Sequence, residues 1–398
     1  VKLPGNSTWQ ERADKVIAQG CQTYSKRDTS YIRGVYQSHC LSGEGAHLTL
    51  ADGNRVIDHT CGLGSNILSC RNNYGLPTTS EVLLAERLAV LFPFVDKFRF
   101  LKTGTAACEC AIRIARAYYE AKNDGADARG LGVGYHGSGN VTIAAEEPGA
   151  GCVDELYEKV ADFDALIERL NGITKGEIAY VIIEPVQLEV SKAIGQQLFD
   201  IRQLCTEKDI CLIFDEIICG FRVPLYSISN YFKIAPDIIC FGKALGNGFP
   251  IAVVGARTTY ADTHDWFISN THNGEHASIC AALETLDYLT DDRLRQLWRR
   301  GEAFQKAFNA IAPDRIRLKG YATRAVWEGE KTYIAIFCQE AYRRGILLHP
   351  GSWWITFAHT DDLLKMELDI FKEIIEKIES RNIQLDGLEP SPVFVRNK

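Results

Sequence analysis

A chain of 398 residues, 46% hydrophobic and 24% charged, is too long for one small core and too apolar for disorder, which predicts a globular protein of two or more lobes. Its net charge of -7, with Lys and Arg spread rather than clustered, leaves no electrostatic footprint for nucleic acid. The 13 cysteines are odd in number and scattered through apolar runs, which argues for free thiols in a reducing, cytoplasmic compartment, and no His/Cys set has zinc-ligand spacing, so no metal is expected.

No apolar stretch reaches the roughly 20 residues that a bilayer crossing requires, and the opening VKLPGNSTWQERADK lacks the apolar region of a secretory signal, so neither membrane insertion nor export is expected. Residues 1–75 contain a predicted helix over 9–24, then an alternating stretch over 47–59 whose Asp52-Gly53-Asn54 reads as a hairpin turn. Residues 76–285 change to short apolar runs alternating with amphipathic helices, the rhythm of an α/β lobe with a mostly parallel sheet.

Within that lobe, 98–120 reads as strand, tight turn and helix, with Ala107, Ala111, Ile112, Ala115 and Tyr118 as the buried stripe. The glycine-rich stretch 132–140 places Tyr135 and His136 on a loop at one edge of the sheet. Strands are predicted at 179–186, 211–218, 238–242 and 251–256, with a crossover helix over 195–209 built on Leu198, Ile201 and Leu204. Residues 286–398 carry charged helices at 292–311 and 361–380 and read as a smaller C-terminal lobe.

Chemistry concentrates in the middle lobe. Asp215 ends the apolar run LIFD, where a carboxylate is costly to bury without a cation to meet it, and Lys243 follows another apolar strand in the glycine-rich GKALGNGFP. An aldehyde cofactor accounts for both: pyridoxal 5′-phosphate needs a lysine amine for a Schiff base and an acid beside its ring nitrogen. A buried structural ion pair is the plainer alternative for these two residues alone. Thr103, Gly104 and Thr105 open a helix whose first amides and dipole suit a phosphate, although a threonine is also an ordinary N-cap. Tyr135 is placed to stack on a flat heterocycle, with a tyrosine bonded in the core as the alternative; His136 reads as structural rather than catalytic.

In this order the segments 50–66, 104–120, 135–137, 184–187, 214–223, 242–257, 271–289 and 357–364 resemble class III pyridoxal-phosphate aminotransferases, nearest to the glutamate-1-semialdehyde aminomutase branch. The resemblance implies fold type I: a large α/β lobe with a mostly parallel seven-stranded sheet over 76–285, and a small α+β lobe from both chain ends, 1–75 and 286–398. It implies that Lys243 forms the Schiff base and shuttles a proton, that Asp215 pairs with the ring nitrogen, and that Thr103, Gly104 and Thr105 hold the phosphate. Tyr135 and His136 would lie against the ring, Glu184 and Ile218 beside it, and Thr271 would reach the phosphate of a neighbouring subunit, which implies a homodimer with shared sites. Ser65, Asn66, Trp353 and Trp354 are the expected substrate contacts.

Departures from the family pattern shape the expected activity. The segment 138–153 after Tyr135-His136-Gly137 is shortened where aminomutases carry a long loop, Trp353-Trp354 stand where an acidic residue is usual, and Glu275-His276 replace an Asn-Pro. These favour transfer from an amino acid donor to a separate aldehyde or ketone, such as a sugar or another bulky carbonyl compound, by a ping-pong route. The alternatives are an intramolecular aminomutase or epimerase on the same residues, a decarboxylase, against which Tyr135 and Gly242 speak, and a catalytically silent cofactor-binding scaffold. The tryptophans have core packing as their alternative.

Overall fold

The computed structural model describes residues 6–23, 26–28, 37–58, 60–61, 65–66, 72–143, 154–262, 268–380 and 383–386. Contacts divide the chain into two compact units, one of residues 1–185, 197–221 and 226–289, the other of 186–196, 222–225 and 290–398. Contacts within the chain thus group the stretch before residue 75 with the large unit, where the sequence expects it to join the small lobe.

The first unit opens with α1 (Asn6–Val16). The helix predicted over 9–24 stops at Val16, because Ile17 turns extended (φ -125°, ψ 125°) and bridges Phe98, while Gly20 takes φ +65°. Strands β1 (Cys40–Glu44), β2 (His47–Leu50) and β3 (Arg55–Ile57) form a small antiparallel sheet, of which β1 is an addition to the expected hairpin. The Asp52-Gly53-Asn54 turn joins β2 to β3 as predicted, with Gly53 at φ +89° and Asp52 Oδ1 accepting the Asn54 N–H at 2.9 Å. Helix α2 (Thr79–Leu91) starts on a capping box in which Glu81 Oε1 accepts the Thr78 N–H at 2.8 Å, and Arg12 of α1 pairs with Glu86 of α2 at 2.6 Å.

From there strands and helices alternate. In chain order they are β4 (Lys97–Leu101), α3 (Gly104–Lys122), β5 (Gly130–Val133), α4 (Asn140–Ile143), β6 (Tyr157–Lys159), α5 (Phe163–Gly172) and β7 (Tyr180–Ile183). They continue as α6 (Lys192–Lys208), β8 (Cys211–Asp215), α7 (Ile228–Phe232), β9 (Ile238–Phe241), β10 (Ala252–Ala256), α8 (Thr258–Ala261) and α9 (His276–Tyr288). The seven strands form one sheet in the order β4-β10-β9-β8-β7-β5-β6, parallel except that β10 runs against both neighbours. Strands β7 to β10 are buried on both faces, which is why they appear in the sequence as unbroken apolar runs rather than alternating ones. This is the fold type I architecture expected.

Three local readings change. On α3 the buried aromatic residue is Tyr119, while Tyr118 is only half-buried and tilts against Tyr260 at 4.5 Å between ring centroids. The crossover helix α6 begins at Lys192 and buries Cys205 beside Leu198 and Ile201, leaving Leu204 half-buried. Tyr135 and His136 follow β5, which is second from the edge, since β6 covers it.

The second unit holds α10 (Asp291–Ile311), β11 (Ile316–Tyr321), β12 (Arg324–Gly329), α11 (Lys331–Arg343), β13 (Trp353–Trp354) and α12 (Asp361–Ser380). Its three strands pair antiparallel in the order β11-β12-β13. The core is aromatic: Phe304, Phe308, Trp327, Phe337, Trp353 and Phe371 pack together. Helix α10 is capped by Thr290, whose side chain accepts the Arg293 N–H at 3.2 Å. No helix among the described residues is long and apolar enough to cross a membrane.

Candidate active site

The parallel strands β4, β5, β7, β8 and β9 all end at one edge of the sheet, and the reversed strand β10 begins there. A side chain placed just past each strand therefore arrives in the same place. A cavity of about 280 Å³ opens at that edge. It is lined by Lys102, Gly104 and Thr105 after β4, Tyr135, His136 and Gly137 after β5, and Glu184 after β7. Asp215, Ile217 and Ile218 come from the end of β8, Lys243 from the end of β9, and Phe249, Pro250 and Ile251 from the approach to β10. This is the carboxyl-end crevice where ligands of open α/β sheets bind.

Asp215 forms the floor. It is only 4% exposed and accepts three hydrogen bonds: from the Ile217 N–H to Oδ1 at 3.1 Å, and at Oδ2 from the Cys108 thiol at 3.2 Å and His136 Nδ1 at 2.8 Å. His136 Nε2 is buried and has no hydrogen-bond partner among the described residues. A hydrogen bond with Cys240, burial and the Asp215 charge push the Cys108 thiol far up, so Cys108 donates as a thiol. Cys108, His136 and Asp215 bring three potential metal-ligand atoms within 4.8 Å, but as folded they form a hydrogen-bonded triad centred on the carboxylate.

Lys243 reaches the cavity from a strained backbone. It begins a short 3₁₀ turn after Gly242 with φ +39°, a region that L-residues avoid, and its side chain is exposed to the cavity. A side chain at Gly242 would sit 3.1 Å from Ile217, so the turn passes close over the floor.

The anion end is built around the start of α3. Thr103 caps the helix by accepting the Ala106 N–H at 3.1 Å, which spends its hydroxyl on the helix rather than on the cavity, while Gly104 and Thr105 line the cavity. Thr105 Oγ1 accepts the Ser138 N–H at 3.1 Å, and Gly137 has φ +97° with its Cβ direction only 2.5 Å from Thr105 Oγ1, so glycine alone fits there. Glu184 accepts the Tyr135 N–H at 3.1 Å, holding that loop, and Tyr135 is 39% exposed.

Other expected residues gather elsewhere. Ser65, Asn66 and Thr271 meet around Asn73, whose amide donates to Ser65 Oγ at 2.8 Å and to the Thr271 carbonyl at 2.9 Å and whose own carbonyl accepts from Asn66. None of the three lines the cavity. In the second unit, Trp353 is a correction to its expected substrate role: it is 5% exposed and stacked on Phe304 at 4.9 Å, so its face is taken by the core. Trp354 is half-buried, with the Arg222 guanidinium 4.9 Å over its ring and its indole N–H donated to Ser352 at 3.0 Å. The shortened loop lies outside the described residues from position 144 to 153.

Sequence reasoning missed Lys102, Cys108, Gly137 and the Ile217 and Phe249 walls. Cys108 was within reach, one helical turn after Gly104 and so on the same face of α3. Ring, acid, amine and anion-binding groups placed this way suit a flat, phosphorylated, aldehyde-bearing heterocycle, and the buried His136 Nε2, on a residue that lines the cavity, has no hydrogen-bond partner among the described residues.

Residues 33–378 match the family model described as Aminotransferase class-III. Glutamate-1-semialdehyde 2,1-aminomutase of Methanothrix thermoacetophila is 28% identical over 94% of this chain and 96% of that protein. The protein of the same name from Pelodictyon phaeoclathratiforme is 31% identical over 75% of this chain and 76% of its own. Among solved structures, an omega-transaminase from Sphaerobacter thermophilus shares the fold, with a TM-score of 0.68 at 21% identity over 94% of this chain and 98% of that one.

Proposed function

The chain belongs to the class III aminotransferase family, and from that premise we propose that Lys243 and Asp215 move an amino group from an amino acid donor to an aldehyde or ketone acceptor in two half-reactions. One observation carries the assignment: the neighbouring parallel strands β8 and β9 deliver this acid and this amine to one cavity. Pyridoxal 5′-phosphate is the cofactor of the family, and when bound it supplies an electron sink for charge developing at a carbon that loses its proton. Asp215 would be the acid partner that keeps a proton at the ring nitrogen, and the bonds from His136 and Cys108 to its Oδ2 fix the direction in which that carboxylate faces. Gly104, Thr105 and the first amides of α3 hold the phosphate. Tyr135 offers its ring face, and Glu184 keeps it in place through its backbone. Lys243 Nζ is the amine for the aldehyde carbon and afterwards takes up and returns the migrating proton.

We also infer a homodimer. Ser65, Asn66 and Thr271 cluster at Asn73 rather than lining their own chain's cavity, an arrangement suited to serving a second subunit. A cytoplasmic location rests on the 11 free thiols among the described residues. For the acceptor, a bulky or sugar-like carbonyl compound rests on the short segment after Gly137, because Trp353 is committed to the core.

A second reading has its own support: the curated relatives are named aminomutases. Absorbance of the purified holoenzyme separates the two. An aminotransferase bleaches the cofactor band with an amino donor alone and regains it with an acceptor, whereas an aminomutase turns one substrate into one product with no second compound. Lys243→Ala is expected to abolish borohydride trapping of the cofactor on the chain; trapping that persists would move the anchor to another lysine.

A further inference from the structure

Lys102 is the residue just before the Thr103 cap, and it lines the cavity beside Gly104 and Thr105. Its ammonium sits 2.8 Å from Glu275 Oε2, with side-chain exposures of 21% and 10% for the pair. Glu275 is in turn the N-cap of α9: its Oε1 accepts the Ala277 N–H at 2.9 Å and the Ser278 N–H at 3.2 Å. Burial pushes the Glu275 carboxyl up, but the hydrogen bonds from Lys102 and Ser278 outweigh it and hold the group at about 2, so Glu275 is a carboxylate at neutral pH.

We propose that Lys102 supplies a cationic contact to the phosphate held at the start of α3, with Glu275 as the brace that aims it. The assignment rests on the family reading for the identity of the phosphorylated ligand and goes beyond it by naming the charge that selects the phosphorylated form. Three features of the geometry support it.

First, the amides and dipole at the start of α3 offer only about half a positive charge, against a phosphate that carries nearly two negative ones. Second, Glu275 does not cancel Lys102, because its own charge is shared with the N-terminal amides of α9. Third, a lysine ammonium has three donors and Glu275 takes one, leaving donors for an anion in the cavity that Lys102 lines. The other lysine of the cavity, Lys243, is committed to the aldehyde. The plain alternative is a bolt between α3 and α9 that never meets the ligand.

The test compares ligands with and without the phosphate. The full chain, stripped of cofactor, is titrated by fluorescence with pyridoxal 5′-phosphate and with pyridoxal, in the parent and in Lys102→Met and Lys102→Arg. The expected result is a loss of roughly 10- to 100-fold in affinity for the phosphorylated form in Lys102→Met, with pyridoxal binding unchanged. Lys102→Arg is expected to recover most of that loss, and raising the salt concentration to weaken the parent more than Lys102→Met. Equal losses for both ligands, or none for either, would overturn the proposal and leave the bolt. If Lys102→Met does not fold, Lys102→Gln gives the same comparison. A parent chain that binds neither ligand would sink the family-based cofactor reading itself, an outcome distinct from the failure of Lys102.

Discussion

Asp215 and Trp353 are almost equally hidden, at 4% and 5% exposure, yet only Asp215 lines the cavity. Asp215 ends a parallel strand in the middle of a sheet, where burial comes from neighbouring strands and helices but the strand's carboxyl end stays open to a crevice. Trp353 lies on a two-residue edge strand of an antiparallel sheet, with its ring pressed on Phe304 and surrounded by the aromatic core of the second unit. Burial by itself does not separate function from packing. What separates them is whether the buried group has polar partners arranged around one open direction, as the carboxylate does, or apolar partners on every side.

The contrast can be broken by substitution. The largest effect is expected for Asp215→Asn, which keeps the shape but loses the charge proposed to hold a proton on a ring nitrogen. Turnover should fall on the order of 10³-fold, about 4 kcal/mol in the barrier, while the denaturant midpoint stays near that of the parent. A midpoint that collapses along with the rate would make Asp215 a structural residue. Trp353→Ala should do the opposite. Loss of the stacked ring should cost about 3–5 kcal/mol of stability, read from urea unfolding, with cofactor affinity unaltered. If the variant unfolds normally but binds substrate more weakly, Trp353 belongs to the site after all.

A smaller effect is expected for Gly137→Ala. The residue sits at φ +97° and its new methyl would meet Thr105 Oγ1 at 2.5 Å, so the cradle must shift. The cost should exceed about 1 kcal/mol and appear as weaker cofactor binding, measured by dialysis, more than as lost stability. The last is a slope. Burial raises the Glu81 carboxyl from its ordinary 4.5 to about 7, against the pull of Thr78 and of Lys26, itself lowered by burial. A folded value above the unfolded one contributes stability below about pH 4.5 that is lost as pH rises through 7. Glu81→Gln should therefore flatten the fall in melting temperature between those limits. An unchanged slope would show that the carboxyl titrates normally.

Much of this was visible in the chain because the signals are local. The 98–120 stretch reads as strand, cap and helix from Thr103 and from apolar spacing alone, and β4 and α3 follow that reading closely. The charged helices α10 and α12 match their expected limits to within a residue at each end. The Asp52-Gly53-Asn54 hairpin turn was equally legible. Errors occurred where a distant partner intervened: α1 ends early because Ile17 bridges Phe98, and Tyr119 rather than Tyr118 faces the packing surface of α3.

The sequence by itself determined the types of element, the acid and the amine, and the family to which they belong, because periodicity, capping and motif order are written over short spans. Only the tertiary structure decided that Cys108 and His136 converge on Asp215, that Lys102 meets Glu275, and that Trp353 turns into a core. Those contacts join residues far apart along the chain. The first two depend on the order in which seven strands are laid side by side and on the one that runs backwards, the third on α10 packing against the separate three-stranded sheet, and no single stretch of the sequence contains either arrangement.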